Sequence, residues 1–513
     1  MTGAPGLGRQ VGRGLAWGSA GGLVLRFGNV LVGIVLARLL APEDFGVFAL
    51  ALAVQGVLVT VVDLGLSADL VRSPDPRRLE PTVATLSLAS GVLMAGAMAL
   101  GAEPVARALG SEQAAPVIAV LAVTLVVSAA GVVPYARMQR DFQQREIFAT
   151  GLVDLVVGTV VTLALVLAGW GPMALAVSRL VAQPCATAAQ FVLTRTRPRF
   201  GLDPALARGA VAYGLPLAGA NLVSIALLAV DKVVLARGAG EVALGYYVLA
   251  FNVASWPMTV IGQAVRPVAL AAFARLDRGG GQETGAGGGP GGGPGTGGDA
   301  HADAGAGADG GLSLAVRLTW AGAVPVACLL GVLSGQVVVL LYGDRWLPAA
   351  AALTALAAFG AVRVLFDLMA TYLIARGSTR PVLGIQVVWL VVLVPALVLG
   401  ARWWGSAGVG WAHVAVALAV VLPLYLVAVR RSGADLRGLA AATWLPLVAA
   451  PPTVAAALLV SRLVEGLVPG LLLGGLAGAL VYAALVGRPL VRDLRASRRA
   501  RGAVGAPDPA PVP

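Results

Sequence analysis

Apolar stretches about as long as a membrane is thick recur along the whole chain. They begin at Trp17 and continue to Val486, with mostly short polar segments between them. A helix needs about 20 residues to cross a hydrocarbon core of about 30 Å, and each stretch is close to that length. Of the 513 residues, 58% are hydrophobic and 12% are charged, which is half the charged fraction of an average soluble protein. The chain is therefore predicted to be an all-α polytopic membrane protein, and a set of soluble domains is excluded.

Turn residues and charges divide the apolar sequence into about fourteen predicted transmembrane helices. The first six lie at 17–37, 45–66, 82–101, 114–134, 148–169 and 172–194. The next eight lie at 211–235, 243–271, 314–334, 349–374, 382–400, 407–429, 442–461 and 467–486. The apolar segment 335–342 is too short to span, and we predict that it continues or caps the ninth helix.

The distribution of arginine indicates how these helices are oriented. With a cytoplasmic N-terminus, the cytoplasmic segments hold 25 arginines and the opposite loops hold only 6. Cytoplasmic loops of membrane proteins are rich in Arg and Lys. We therefore predict a multi-pass protein of the bacterial cytoplasmic (plasma) membrane with both termini in the cytoplasm. The same asymmetry explains the net charge of +12 without nucleic-acid binding.

Two parts of the chain repeat each other at an offset of 199 residues. The offset aligns 36–38 (LAR) with 235–237 (LAR), and it aligns the Gly-x-aromatic segment 46–48 with 245–247. Helix 1 thereby becomes equivalent to helix 7, and helix 2 to helix 8. Because six is an even number of helices, the repeats keep one orientation and are related by an axis along the membrane normal.

The repeat predicts two pseudo-symmetric six-helix lobes followed by two additional C-terminal helices. The predicted parts are an N-terminal lobe at 1–194, a cytoplasmic inter-lobe loop at 195–210, a C-terminal lobe at 211–429, two additional transmembrane helices at 430–486 and a basic cytoplasmic tail at 487–513. The Gly-rich segment 279–311 is predicted to be a disordered cytoplasmic insert in the second lobe. No transport function is assigned to it.

Polar side chains within the predicted spans mark the candidate functional positions, because such groups are costly in hydrocarbon and usually face a cavity or a partner. These polar side chains concentrate in helices 1, 2, 7 and 8, which we predict to line a hydrated cavity. Gln55 in helix 2 is one of these side chains. The candidate substrate-binding residues are Arg26, Asn29, Lys232, Asn252, Gln263 and Arg266. The candidate ion-coupling carboxylates are Asp63, Asp154 and Asp231.

These positions also have structural interpretations. The polar stripe of helix 8 could hold helices together, Arg266 could extend to the membrane interface, and Asp154 could serve helix packing. Asp231 and Lys232 are neighbours that cannot face one direction, so at least one of them is expected to have a different partner. The close-packing motifs Gly18-x-x-x-Gly22 and Gly474-x-x-x-Gly478 have low specificity.

Motifs of enzymes are absent from the sequence. It contains no Walker A loop, no H-E-x-x-H and no G-x-S-x-G. His413 is predicted to be a packed residue, and Cys185 and Cys328 lie in apolar spans, which argues against a disulfide framework or a cysteine metal site. We expect no enzymatic activity, no metal and no cofactor, although coupling to protons, sodium or the membrane potential is compatible with the carboxylates.

Five short motifs resemble one family in their order and spacing. They are ARLLAPEDFGVF at 37–48, DLGLS at 63–67, MQRDF at 138–142, YGLPL at 213–217 and LYGDRW at 341–346. Together they resemble the bacterial polysaccharide-exporter or O-antigen-flippase family of the multidrug/oligosaccharidyl-lipid/polysaccharide exporter superfamily. The Gly-rich insert departs from the family pattern.

The resemblance implies a flippase for a polyprenyl-diphosphate-linked oligosaccharide or polysaccharide precursor, working by alternating access in cell-envelope polysaccharide (including lipopolysaccharide) biosynthesis. It also implies a cationic cavity for the pyrophosphate, with Arg26, Lys232 and Arg266 as candidates. The expected partners are the lipid-linked saccharide, the bilayer and other polysaccharide-assembly membrane proteins, but not nucleic acid. Two alternatives are a cation-coupled small-molecule exporter of the same fold and a non-transporting membrane subunit of a polysaccharide assembly complex.

Overall fold

The computed structural model is helical along almost all of its described residues. It describes the backbone of 7–281, 297–376 and 378–492. Side chains are described within 21–258 (except 213, 216, 217, 220, 223, 224, 226 and 228), 312–376 and 378–492. The α-helices are α1 (Leu7–Leu39), α2 (Pro42–Asp63), α3 (Leu66–Arg72), α4 (Pro76–Leu100), α5 (Ala102–Leu109), α6 (Ala114–Arg140), α7 (Gln144–Leu167), α8 (Pro172–Thr194), α9 (Pro204–Gly281), α10 (Gly297–Val332), α11 (Ser334–Tyr342), α12 (Ala349–Ala375), α13 (Thr379–Val416), α14 (Leu422–Arg431), α15 (Leu436–Leu463) and α16 (Leu467–Tyr482).

The predicted transmembrane segments all fall on these helices. Within the described residues, 11 helical segments are long and apolar enough to cross a membrane. Two of the long helices are interrupted, since the backbone is non-helical at Gly240 in α9 and at Trp404 and Gly405 in α13. Each interruption separates two predicted spans, and α11 is the short segment expected after the ninth span. The prediction of an all-α polytopic membrane protein is confirmed.

The predicted Gly-rich linker is only partly described. Helix α9 continues to Gly281 and helix α10 begins at Gly297, so these helices include both ends of the segment 279–311. The residues between them, 282–296, lie outside the described residues, as does the basic tail from 493 onward.

The chain forms two compact units. The first consists of Met1–Val248 with Leu397–Ser406, and the second of Leu249–Ala396 with Ala407–Pro513. The boundary between them falls within α9, whereas the predicted lobes divide at 195–210. That division into six-helix lobes stays a prediction.

In the first unit, α1 packs on α7 through glycines. A Cβ added at Gly21 would lie 2.8 Å from the Phe148 ring, and one added at Gly28 would lie 2.5 Å from a Leu155 methyl. On α7, Gly151 accommodates Leu25 in the same way. Small residues let membrane helices approach closely, so this face of α1 is committed to helix packing.

A second contact of the first unit joins α1 to α8 near one end of both helices. Leu36, Leu40 and Leu175 are buried there. Val32 and Phe48 pack against them, and we call this group the α1–α8 cluster. Val32 and Phe48 are the repeat equivalents of two polar residues in α9, which are described with the candidate site.

In the second unit, aromatic rings join α12, α13 and α14. The ring centroid of Phe366 lies 5.8 Å from that of Trp389 and 5.4 Å from that of Tyr425. Phe359 lies 6.2 Å from Trp389 and 4.7 Å from His413. His413 is 4% exposed, so the prediction that it is a packed residue is confirmed.

The family-like segment at 341–346 forms a buried turn between α11 and α12. Tyr342 and Trp346 are both buried, with ring centroids 6.4 Å apart. Gly343 between them has a positive φ of 94°, a conformation that glycine adopts at no steric cost. Burial raises the pKa of the Tyr342 phenol above its ordinary value, so this hydroxyl stays protonated.

The predicted close-packing motif at 474–478 is confirmed between α15 and α16. A Cβ added at Gly474 would lie 2.9 Å from the backbone oxygen of Ala457. One added at Gly478 would lie 3.1 Å from the backbone oxygen of Thr453. By contrast, nothing lies within 4 Å of a Cβ added at Gly22, so Gly22 makes no close helix contact; the side-chain position of Gly18 lies outside the described residues.

Adjacent glycines of α16 permit a matched test of this packing. Alanine at Gly474 should destabilise the protein by about 1–3 kcal/mol, because a rigid backbone oxygen opposes the new methyl group. Alanine at Gly475 meets only a Leu333 methyl at 3.8 Å and should be neutral or stabilising by up to about 1 kcal/mol through helix propensity. Thermal unfolding in detergent measures both, and equal melting temperatures for the two variants would contradict the packing.

Candidate functional site

A polar face of α1 lies beside the face that packs on α7. Arg26 and Asn29 are both exposed, and a Cβ added at Gly22 or Gly33 on the same face would meet nothing within 4 Å. The Asn29 amide donates a hydrogen bond of 2.9 Å to the backbone oxygen of Leu25. In the first unit this face is therefore open, and a spanning helix presents a guanidinium group on it.

The most buried candidate carboxylate is Asp231, in α9 before the Gly240 break. Its side chain is 2% exposed and accepts a hydrogen bond of 2.7 Å from the Tyr247 hydroxyl. It also accepts one of 2.7 Å from the backbone amide of Lys232, whose Nζ lies 3.8 Å from the same carboxylate oxygen. At least one of the two neighbours was expected to have a different partner, and Asp231 has one in Tyr247; the Lys232 ammonium group nevertheless remains close.

The internal repeat relates this polar pair to an apolar one. The offset of 199 residues places Asp231 opposite Val32 and Tyr247 opposite Phe48. Val32 and Phe48 both pack against the α1–α8 cluster. The first repeat thus carries two apolar side chains where the second carries a buried carboxylate and its hydrogen-bond donor, so the two repeats differ in charge at one equivalent place.

The same repeat produces a reciprocal backbone contact within the first unit. A Cβ added at Gly46 would overlap with the backbone oxygen of Glu241, and one added at Gly245 would overlap with that of Pro42. The offset that relates Gly46 to Gly245 also relates Pro42 to Glu241. The two contacts are therefore equivalents of each other, as an approximate two-fold axis between the repeats requires. We call them the paired-glycine contact.

The other candidate carboxylates lie elsewhere. Asp63 ends α2 and accepts hydrogen bonds from the backbone amide and the hydroxyl of Ser67, at 3.2 and 2.9 Å. It therefore links the end of α2 to α3. Asp154 is half-buried in α7. Ion coupling by either of them stays a prediction.

The polar residues of helices 2 and 8 are only partly placed. Gln55 donates a hydrogen bond to the Thr124 hydroxyl of α6 and so takes part in helix packing; that it lines a cavity stays a prediction. Asn252 is exposed, in the second unit. The side chains of Gln263 and Arg266 lie outside the described residues. Of the predicted substrate-binding and ion-coupling residues, the structure brings Asp231 and Lys232 together.

Tyr247 was not among the candidate residues. The repeat pairs it with Phe48 as an aromatic ring, and only the hydroxyl group distinguishes the two side chains. A tyrosine in place of phenylalanine at an equivalent buried position signals a hydrogen-bond acceptor in one repeat.

The second unit contains an apolar cavity that the sequence analysis did not predict. Its volume is about 860 Å³, and α10, α12, α14 and α15 contribute to its walls. The larger side chains around it are those of Trp320, Leu365, Met369, Leu422, Leu426 and Leu447. Such a space suits hydrocarbon rather than a saccharide.

Comparison with known proteins identifies relatives of the first half of the chain. Residues 35–282 match a family described as polysaccharide biosynthesis protein. The predicted family resemblance is confirmed. The chain is 27% identical over 245 residues to the succinoglycan biosynthesis transport protein ExoT of Rhizobium meliloti (strain 1021), which is 47% of this chain and 49% of that protein. The chain thus spans about half the length of that relative.

A second relative is matched over most of its length. The lipopolysaccharide biosynthesis protein WzxC of Escherichia coli (strain K12) is 24% identical over 432 residues, which is 82% of this chain and 81% of that protein.

Solved structures share the fold at low sequence identity. The lipid II flippase MurJ in an inward closed conformation has a TM-score of 0.73 at 12% identity, covering 93% of this chain and 99% of that chain. An inward-facing multidrug resistance MATE family transporter of the MOP superfamily has a TM-score of 0.61 at 16% identity, covering 80% and 94%. These likenesses show an all-helical fold shared with those two proteins and leave the function and the substrate of this chain open.

Proposed function

We propose that the protein moves a polyprenyl-diphosphate-linked saccharide precursor from one leaflet of the membrane to the other. The observation that carries this proposal is the open polar face of the spanning helix α1. Arg26 and Asn29 are exposed on this face, and a Cβ added at Gly22 or Gly33 would meet nothing within 4 Å. The two relatives, named for succinoglycan transport and for lipopolysaccharide biosynthesis, support the substrate class. The family match over 35–282 includes α2 and the whole of α9.

The diphosphate is the part of such a substrate that needs charged groups. Guanidinium groups match phosphate geometry with paired hydrogen bonds, so Arg26 is the primary headgroup contact of the proposal. Lys232 and Arg266 are further candidates, and Asn29, Asn252 and Gln263 supply amides for the saccharide. The charge of Lys232 is partly offset by the carboxylate of Asp231, 3.8 Å from its Nζ. Arg26 is therefore preferred over Lys232 as the headgroup contact.

The lipid tail needs an apolar surface that stays available while the headgroup crosses. The cavity of about 860 Å³ in the second unit is lined almost entirely by apolar side chains. We assign it to a segment of the polyprenyl chain.

Transport requires that access alternate between the two sides of the membrane. We propose that the paired-glycine contact is formed when the protein is closed on one side of the membrane, and that it separates when access to that side opens. A buried carboxylate is suited to coupling this change to an ion, and among the three candidates Asp231 is the most buried. Transport of this kind needs no resident cofactor and no enzymatic step by this chain.

The proposed setting is the cytoplasmic membrane, with both termini in the cytoplasm, as the arginine distribution predicts. Other envelope-polysaccharide assembly proteins of that membrane are the proposed neighbours.

The test is a flipping assay with purified protein in liposomes. A polyprenyl-diphosphate oligosaccharide is placed in both leaflets, and an external glycan-modifying enzyme reports how much of it becomes accessible. We expect nearly all of it to be modified with the wild-type protein and about half with empty liposomes. Replacing Arg26 with glutamine should slow flipping roughly 10- to 100-fold, since hydrogen bonds to a charged group contribute about 1.5–3 kcal/mol.

The matched control is Arg462→Gln, which removes an exposed arginine at the end of α15. Wild-type flipping by well-folded Arg26→Gln protein would remove Arg26 from the headgroup site. Modification that stops at half for the wild-type protein, combined with pH- or sodium-dependent drug efflux in cells, would replace the proposal with a small-molecule exporter.

A further inference from the structure

A small pocket in the first unit lies where α4, α6 and α8 meet the loop that leads into α9. Its volume is about 120 Å³, well below the roughly 300–1,000 Å³ of pockets that bind drug-sized molecules. Ala84, Leu88, Ala130, Val133 and Phe191 give it an apolar wall. The pocket therefore has room for a lipid headgroup or a short hydrocarbon segment, and not for an oligosaccharide.

Two arginines of the loop between α8 and α9 line this pocket. Arg197 and Arg199 both line it and are exposed. In the part of the chain that the structure describes, no carboxylate pairs with either guanidinium group. The acidic residue of the pocket, Glu80, is already neutralised by Arg137, whose Nε lies 2.9 Å from its carboxylate. The pocket consequently carries an excess of positive charge beside an apolar wall.

The loop is held in place by α4. The hydroxyl of Thr85 donates to the backbone oxygen of Gly201 at 3.0 Å and accepts from its amide at 3.1 Å. Two residues on, the amide of Asp203 donates to the Thr82 hydroxyl at 3.2 Å, and Thr82 is 2% exposed. The Asp203 carboxylate also lies 3.7 Å from Arg78. The anchored backbone fixes where Arg197 and Arg199 can reach.

The pocket lies at one end of a group of helices, of which α4 and α6 are long and apolar enough to cross a membrane. It uses the N-terminal part of α4 and the C-terminal parts of α6 and α8, and these parts of antiparallel helices meet at the same face of the bundle. Phe200, beside the arginines, is 61% exposed, as aromatic residues at membrane interfaces often are. The ligand that matches an interfacial pocket with guanidinium groups outside and apolar side chains inside is a phosphate-bearing lipid.

We propose that this pocket binds the phosphate group of a lipid, with Arg197 and Arg199 as its ligands and the wall of α4, α6 and α8 covering the first carbons of the chain. The site is separate from the face of α1 that carries Arg26. Its phosphate could come from an anionic phospholipid of the bilayer or from a lipid-linked diphosphate on its way to transport, and the experiment distinguishes these sources.

The experiment measures lipid binding by native mass spectrometry of the full-length protein in neutral detergent. The probes are phosphatidylglycerol, a polyprenyl diphosphate and, as an uncharged reference, phosphatidylcholine. The double variant Arg197→Gln, Arg199→Gln should bind one of the two anionic probes, phosphatidylglycerol or polyprenyl diphosphate, roughly 10- to 100-fold more weakly. The probe that is affected identifies the source of the phosphate. The matched control Arg77→Gln, Arg208→Gln removes the same charge from exposed arginines outside the pocket and should change binding less than about threefold.

A third variant tests the apolar wall. Phenylalanine at Ala84 fills the pocket while leaving both arginines in place, and it should weaken binding of the same probe; its melting temperature shows that the protein is folded. Selective loss of phosphatidylglycerol binding assigns the site to the bilayer, and selective loss of polyprenyl diphosphate binding assigns it to the substrate. Wild-type binding of both probes by the Arg197, Arg199 variant, or equal losses in the Arg77, Arg208 control, would overturn the proposal. Because binding is measured without flipping, the result does not depend on the proposed function.

Discussion

Alanine at Gly46 or at Gly245 is expected to remove most transport while leaving the protein folded. In the structure the added methyl group would overlap with the backbone oxygen of Glu241 or of Pro42. A backbone oxygen moves only with its chain segment, so the two segments must separate. Overpacking of this kind costs about 1–3 kcal/mol, which corresponds to a roughly 5- to 150-fold shift in a two-state population. We expect flipping in liposomes to slow by a factor in that range.

Two other glycines of the same helices serve as controls. A Cβ added at Gly56 in α2 or at Gly219 in α9 meets nothing within 4 Å. Alanine at these positions brings the same gain in helix propensity, about 1 kcal/mol, and no overlap. Wild-type flipping by both Gly46→Ala and Gly245→Ala would show that the paired-glycine contact has no part in the transport cycle.

The double variant Gly46→Ala, Gly245→Ala tests whether the two contacts act as one. If both glycines permit the same approach of two chain segments, the first alanine already separates them. The second alanine then adds little, and the effects are less than additive. Full additivity in the flipping rate would mean that the two contacts open independently.

The sequence predicted the equivalence of these glycines and did not predict their contact. An offset of 199 residues shows that Gly46 and Gly245 have similar surroundings. It does not show that the symmetry axis passes between them, because that depends on how whole helices pack. The helical segments that are long and apolar enough to cross a membrane, 11 within the described residues, could be predicted because each depends only on a local run of apolar residues.

The packing of α1 shows where periodicity alone falls short. The polar face with Arg26 was predicted as a face, since residues three and four apart align on a helix. The packing glycines were predicted at 18 and 22, whereas Gly21 and Gly28 contact α7. Several faces of this Gly-rich helix have small residues, and only the side chains of α7 decide which face is covered.

Polar residues in spans were the least predictable. Gln55 is a polar residue in an apolar span, and its amide donates a hydrogen bond to the hydroxyl of Thr124, 69 positions away. The same applies to Asp231, whose donor Tyr247 follows it by 16 positions and across the helix break at Gly240. In both cases the sequence shows a polar group that needs a partner, and only tertiary structure supplies the identity of that partner.

Phenylalanine at Tyr247 should destabilise the protein and change its ion dependence. The substitution leaves the ring and removes the hydroxyl that donates to Asp231 at 2.7 Å. Leaving a buried hydrogen-bond acceptor unsatisfied costs about 1–3 kcal/mol. Thermal unfolding in detergent measures this loss. The substitution Phe48→Leu, at the equivalent position of the first repeat, is the control for ring packing without a hydrogen bond.

The double variant Asp231→Val, Tyr247→Phe separates stability from function. It places in the second repeat the two side chains that the first repeat has at Val32 and Phe48. Removing both polar partners together leaves no unsatisfied buried carboxylate, so the double variant should be more stable than Tyr247→Phe alone. Lys232 is 21% exposed in its side chain and keeps access to other partners.

The flipping rate of this stable variant then reports on the carboxylate itself. If Asp231 couples transport to an ion, flipping driven by a pH or sodium gradient should fall to the rate without a gradient, and Asp231→Asn should behave in the same way. The repeat-based asymmetry predicts this result, because an ion-coupled cycle needs a titratable group in one repeat only. Gradient-driven flipping at the wild-type rate would instead give the Asp231–Tyr247 pair a purely structural role and leave Asp63 and Asp154 as the candidate coupling residues.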